Sequence, residues 1–153
     1  MKTTSTFFAA TLVLLSGCIT PVDEPAECVG PELLVKSLES EYSCQNTTRQ
    51  LNINLSETYT VIRSQEEFDK QVTGSCRPQI DFTTYDLVIG KKGLPNGVSG
   101  IAYTLRRECN SNKEVLNVAI SLGMTTEAPN ITYHALIPKL AAGQEIGVQV
   151  EVK

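Results

Sequence analysis

The chain predicts a mainly β (α+β) domain, an antiparallel sheet or sandwich with one or two short helices, and three observations predict it. Its second half holds five short runs rich in β-branched and apolar residues, 86–91, 99–106, 114–122, 131–137 and 147–152. Turn-rich stretches separate them, Gly93-Leu94-Pro95-Asn96-Gly97, Asn110-Ser111-Asn112 and 125–130, as antiparallel connections require. Helical signals occur at only two places, both in the first half.

The first element is a leader. Lys2 gives it a positive start, and the apolar run Phe7 to Leu15 is too short to span a membrane. As a helix it rises only about 14 Å, against the roughly 30 Å of hydrocarbon to be crossed. Ser16 and Gly17 suit the narrow site of a signal peptidase, and the Cys18 thiol after them can carry diacylglycerol as a thioether. Leu15-Ser16-Gly17-Cys18 resembles the lipobox of bacterial lipoproteins. That resemblance implies cleavage after residue 17, a mature chain of 136 residues and a covalent lipid on Cys18, which makes the membrane one partner. One acyl chain binds a membrane only marginally, so a durable anchor takes two or three. The resemblance also implies the cell envelope. Ile19 stands where an aspartate would favour inner-membrane retention, so the outer membrane is expected. Whether the domain faces the periplasm or the cell surface stays open.

Residues 18–30 contain Pro21, Asp23, Glu24 and Pro25 with no apolar period, and read as a lipidated tether. Residues 31–153 are then a single globular β-rich domain, long enough to bury a core. Pro31 suits a first helical turn, and Leu33, Leu34, Val35 and Leu38 ahead of Glu39 and Glu41 predict a short amphipathic helix. Leu51-Asn52-Ile53-Asn54-Leu55 alternates like a strand with one buried face. Thr58 to Arg63 follows it, and the two are expected to pair as a hairpin across Ser56-Glu57. Ser64 with Glu67 three residues on forms a capping-box pattern, predicting a helix that buries Phe68 and Val72 and stops at Gly74. Among the later strands, Val115-Leu116-Asn117-Val118-Ala119-Ile120 alternates imperfectly and is expected to be buried on both faces.

With Cys18 assigned to lipid, Cys28, Cys44, Cys76 and Cys109 remain, an even set that in an exported protein reads as two disulfides. Zinc ligands come in close pairs such as C-x-x-C, whereas 15, 31 and 32 residues separate these cysteines, so no metal site is assigned. Three connectivities are open to four cysteines. The sequential one, Cys28 with Cys44 and Cys76 with Cys109, is the expectation taken here.

The chain has 13 lysines and arginines, 12 once Lys2 leaves with the leader, against 17 acids. These bases are scattered and tryptophan is absent, which excludes a nucleic-acid stripe. His134, the only histidine, lies within a predicted strand, and no G-x-S-x-G turn surrounds any serine, so no catalytic residue is assigned. Gly90-Lys91-Lys92-Gly93 lacks the first glycine and the hydroxyl of a phosphate loop. Glu66, Glu67 and Asp69 read as a solvated helix face rather than a cation site. No cofactor beyond the lipid is expected.

From residue 59 to 139 the order of motifs is a Val61-Ile62 strand, a capped helix with Glu66, Glu67 and Phe68, then Ile80-Asp81-Phe82 ahead of Leu87-Val88-Ile89-Gly90. Gly97 to Gly100 precedes another strand, and Ala135-Leu136-Ile137-Pro138-Lys139 ends the series. This resembles the C-terminal domain of PrcB-type lipoproteins, a family described as a subunit of a bacterial surface protease complex. The chain departs from it in a shorter glycine-rich segment and in Tyr133-His134, where the family carries a proline. The resemblance implies a non-enzymatic, membrane-anchored domain that binds and stabilises another protein, and on physical grounds Ile80 and Phe82 are expected as buried anchors flanking Asp81, whose carboxylate caps the adjacent turn. Gly93, Leu94, Pro95, Asn96 and Gly97 form the candidate partner-binding loop, since loops on a rigid sheet carry recognition. The rival readings are an envelope hydrolase using carboxylates, a structural envelope component and a small-ligand binder.

Overall fold

The computed structural model describes residues 30–109, 111 and 113–153. The leader, Cys18, the tether through residue 29 with Cys28, and Asn110 and Asn112 lie outside the described residues. The elements are β1 (Glu32–Leu33), α1 (Leu38–Tyr42), α2 (Thr47–Gln50), β2 (Leu51–Ile53), β3 (Tyr59–Ile62), α3 (Gln65–Gln71) and β4 (Val72–Gly74). The long strands follow: β5 (Tyr85–Gly93), β6 (Val98–Arg107), β7 (Lys113–Leu122), β8 (Asn130–Pro138) and β9 (Glu145–Val152). No helix among the described residues is long and apolar enough to cross a membrane.

The fold is mainly β and layered. A sheet of order β3-β5-β8 lies between a second sheet, β1-β6-β7-β9, and a layer made of the helices and the small β2-β4 pair. Strand periodicity divides the core accordingly. In β5, Leu87 and Ile89 face the helical layer, where Leu38, Phe68, Val72 and Leu136 pack, while Val88 faces the other sheet. In β8, Ile131, Tyr133, Ala135 and Ile137 meet Leu105, Leu116, Val118 and Ile120 between the sheets. The alternate β8 residues Thr132, His134 and Leu136 are therefore turned toward the helices.

Several expectations need correction. The segment after Pro31 is extended rather than helical: Leu33 and Val35 pack inward while Leu34 is 71% exposed, a period of two. The helix begins only at Leu38, where Ser37 and Ser40 form a reciprocal capping box. A third short helix, α2, carries no apolar stripe that would reveal it in sequence. The expected hairpin also re-pairs, β2 with β4 and β3 with β5, both antiparallel. Helix α3 ends at Gln71, so Val72 becomes a strand residue opposite Ile53 instead of a helix-face residue. Gly74 permits this: its φ is +134°, and a Cβ there would stand 2.0 Å from the Gln50 carbonyl oxygen.

Burial on both faces falls to β5 and β8, not to β7. In β7, Glu114, Leu116, Val118 and Ile120 are buried and the residues between them are partly exposed, a plain alternation. The strand pairs antiparallel with β6 but parallel with β9, because the chain crosses through β8 in the other sheet between them. The sequential disulfide pairing is overturned as well. Cys44 is bonded to Cys76 with Cα atoms 5.7 Å apart, and Cys109 is also disulfide-bonded. Ser43, in the left-handed region at φ 56°, turns the chain after α1 so that Cys44 enters the helical-side core. There it meets Cys76, two residues beyond β4. Cys109 follows β6 in the far sheet, a layer away from Cys76.

A cleft between the sheet edges

Both large sheets present an edge on the same side of the molecule, β6 in one and β8 in the other, and residues 32–36 pass between them. Glu32 and Leu33 pair with Arg106 and Leu105 of β6; three residues later Lys36 bridges Leu136 of β8 through hydrogen bonds of 3.0 and 2.8 Å. This crossing closes one end of the seam. Beyond it, no strand among the described residues pairs with the free edge of β6 over residues 98–104. On the opposite side of the molecule the corresponding gap is bridged by the Tyr59 hydroxyl, which donates to the Ile146 carbonyl at 3.1 Å.

The open part of the seam is a cleft of about 490 Å³. One wall is β6, through Val98, Ser99, Gly100, Ile101 and Tyr103; Ile131 and His134 of β8 lie opposite, and α1 and α2 supply Glu39, Thr48 and Arg49. The size is within the range of ligand-binding pockets, and the lining mixes apolar with polar side chains. A Cβ added at Gly100 would meet nothing within 4 Å, so the strand edge is sterically open there.

His134 is buried at the base of the cleft, with Thr47 and Glu39 around it. Its Nε2 lies 3.2 Å from the Leu38 N–H and 3.1 Å from Glu39 Oε2, and its Nδ1 lies 3.5 Å from the Thr47 hydroxyl. Thr47 donates to Glu39 Oε1. Nε2 makes one of these bonds at a time, accepting from Leu38 through a lone pair or donating to Glu39 through an N–H, so the tautomer decides between them. Burial raises the Glu39 carboxyl, but hydrogen bonds from His134 and Thr47 outweigh it and hold the group down at about 2. Glu39 is thus ionised at neutral pH, with its side chain 38% exposed to the cleft. Arg49 is already paired with Glu127 at 3.0 Å. Behind β8, the Tyr103 hydroxyl accepts the His134 backbone N–H at 3.1 Å, and burial pushes the Tyr103 phenol up.

The loop singled out in sequence adjoins this cleft without forming it. Leu94 and Gly97 are buried, so they are not contact residues; Pro95 and Asn96 form the exposed tip. The Leu94 N–H donates to the carbonyl of Pro129, a cleft residue, and Gly93 donates to Glu57 Oε1 at 2.7 Å. Lys91 and Lys92 are held by Asn52 at 3.0 Å and by Glu57, an arrangement that clasps the strand rather than cradling a phosphate. Asp81 accepts from the Thr83 backbone and hydroxyl as a turn cap, with Ile80 and Phe82 packed in the core on either side. Glu67 accepts from the Arg63 N–H and Asp69 pairs with Arg77, so the α3 acids stabilise their own helix and its flank. Among the described residues, no group of three metal-ligating side chains is positioned to hold an ion.

The sequence reading placed His134 on its strand but missed the partners that make it part of a cleft. Glu39 and Thr47 are 95 and 87 positions away from it in the chain, and no local spacing joins them. The available signal was a histidine sharing a face with Thr132 in a strand whose other residues are mostly apolar. No protein-family model matches the chain, and neither a curated protein nor a solved structure matches it significantly.

Proposed function

We propose that the chain is a lipid-anchored protein of the bacterial cell envelope whose globular domain binds another protein and catalyses no reaction of its own. The carrying observation is the cleft beside the unpaired length of β6, an open concave site next to exposed backbone donors and acceptors. The lipobox-like segment supports anchoring through Cys18, and the Pro-rich acidic stretch after it suits a tether that holds the domain off the bilayer. The resemblance to the PrcB-type domain supports an accessory role beside an envelope protease, with the outer membrane as its site. The cleft lining contributes one carboxylate, Glu39, already engaged by Thr47 and His134, whereas a carboxylate hydrolase needs two facing acids. Pro95 and Asn96 extend the contact surface at the mouth of the cleft.

In-cell photo-crosslinking tests this reading. A benzophenone side chain placed at Thr48, Ser99 or Asn96 should capture the same protein, and one at Gln149 on the far sheet should not. Equal capture from all four positions, or none from the cleft, would reject the cleft as the binding site.

A further inference from the structure

We infer that the cleft takes its partner as a β-strand: an extended segment carrying a lysine or arginine adds to the free edge of β6 and continues the course of residues 32–36. This rests on the reading just given, that the cleft binds a protein, and specifies the form and chemistry of what it binds.

The first support is the chain itself. Residues 32–36 already occupy the other end of the seam in strand form, pairing first with β6 and then with β8. Beyond them, and after the register shift between Val98 and Gly100, the regular edge from Gly100 to Thr104 covers four residue steps, about 14 Å, enough for an added strand of about five residues. Backbone groups left open on a sheet edge are a ready template for another chain, and strand addition is an established mode of peptide recognition. This edge carries no proline or lysine to block pairing; Ser99, Gly100 and Ala102 are small and exposed.

The second support is charge and side-chain period. Alternate residues of an added strand would face into the cleft, beside Ile101 and Tyr103 and across from Ile131 and His134. One such residue meets Ile101 and Ile131, which favours an aliphatic side chain. The next comes level with Glu39, an ionised and partly exposed carboxylate. Among the ion pairs of the described residues none joins Glu39 to a lysine or arginine, and Arg49 of the cleft lining is committed to Glu127. A lysine or arginine at that place adds a full counter-charge to a carboxylate that Thr47 and His134 engage from one side only, and an acidic residue would be repelled.

The test uses the full-length lipidated protein in detergent and a randomised dodecapeptide display library as the probe. Enriched sequences should show aliphatic residues at a period of two with a lysine or arginine in the same phase. Binding of a selected peptide should slow amide exchange in residues 98–104. Replacing its basic residue by norleucine should weaken binding about tenfold, and Glu39→Gln should have a similar effect on the unmodified peptide. N-methylation of alternate peptide amides should abolish binding in one phase and leave it intact in the other. Failure to enrich any peptide, exchange rates in residues 98–104 unchanged on binding, or affinity indifferent to both sets of N-methyl groups would overturn strand addition. The norleucine comparison uses the unaltered protein, so it decides the charge assignment even where Glu39→Gln impairs folding. A cleft that crosslinks a protein in cells but fails these tests retains the binding reading and loses the strand mode.

Discussion

Glu39→Gln tests the electrostatics of the cleft most directly. The carboxyl of Glu39 is held at about 2 against an ordinary value of 4.5. Converted in full at about 1.4 kcal/mol for each unit of pH, that difference would be worth roughly 3.4 kcal/mol. The side chain is 38% exposed, however, and solvent screening of such a pair reduces the contribution to about 1–2 kcal/mol. Because the folded-state value is the lower one, the unfolded chain takes up this proton first as the pH falls. The stabilisation is therefore complete above about pH 4.5 and is lost progressively toward pH 2. Glutamine keeps the shape without the charge. The variant should be less stable than the natural protein by about 1–2 kcal/mol at pH 7, with the gap narrowing below pH 4.5 and nearly closed at pH 2. Urea unfolding midpoints across this range measure the gap. A difference that is constant from pH 7 to pH 2, or absent at pH 7, would refute the assignment of a stabilising Glu39 charge.

Three further outcomes can be measured. Replacing Cys44 and Cys76 together by serine releases a loop of 32 residues and should cost roughly 3–4 kcal/mol by the chain-entropy relation; denaturant unfolding checks this, and an unchanged midpoint would refute it. Non-reducing peptide mapping should recover Cys44 linked to Cys76 and Cys109 linked to Cys28, with no alkylatable thiol among the four. The second pairing follows from the register of Glu32 opposite Arg106 and from Gly30, which abuts the Arg107 carbonyl; recovery of Cys76 linked to Cys109 would contradict it. Replacing Cys18 by serine should move the protein from the membrane pellet to the soluble fraction, and continued pelleting would count against lipidation.

Much of the second half was legible because its strands carry their own period. The runs at 86–91, 99–106, 114–122, 131–137 and 147–152 all lie within observed strands, and the Ser64 cap starts a helix as expected. The errors share a cause: each depended on which layer covered an element. Val72 looked like a helix-face residue because it lies four positions after Phe68, yet pairing with β2 drew it into a strand. In β8 the polar Thr132 and His134 are buried through bonds to the helical layer. Thr132 donates to the Leu51 carbonyl at 2.7 Å, and His134 has Leu38, Glu39 and Thr47 within hydrogen-bond distance. Polar residues on a covered face need partners supplied from distant segments, and a local pattern does not contain those partners.

The cleft follows from the segment after Pro31, which is extended where the sequence pattern predicted a helix. A helix beginning at Pro31 would bury Leu33, Leu34 and Val35 together and leave nothing to cross between the sheets. As an extended segment, residues 32–36 instead zip β6 to β8 at one end of the seam and deliver Ser37 as a helix cap. That cap starts α1 with Leu38 in the core and Glu39 one residue later, within reach of His134. The same crossing therefore determines where the strand edge is covered, where it is left open and which carboxylate stands beside the opening. Closing the seam further would satisfy the β6 backbone and remove the site; shortening the crossing would release α1 and the charge with it. The open edge and the ionised Glu39 are thus joint consequences of a single strand-to-helix transition at Ser37.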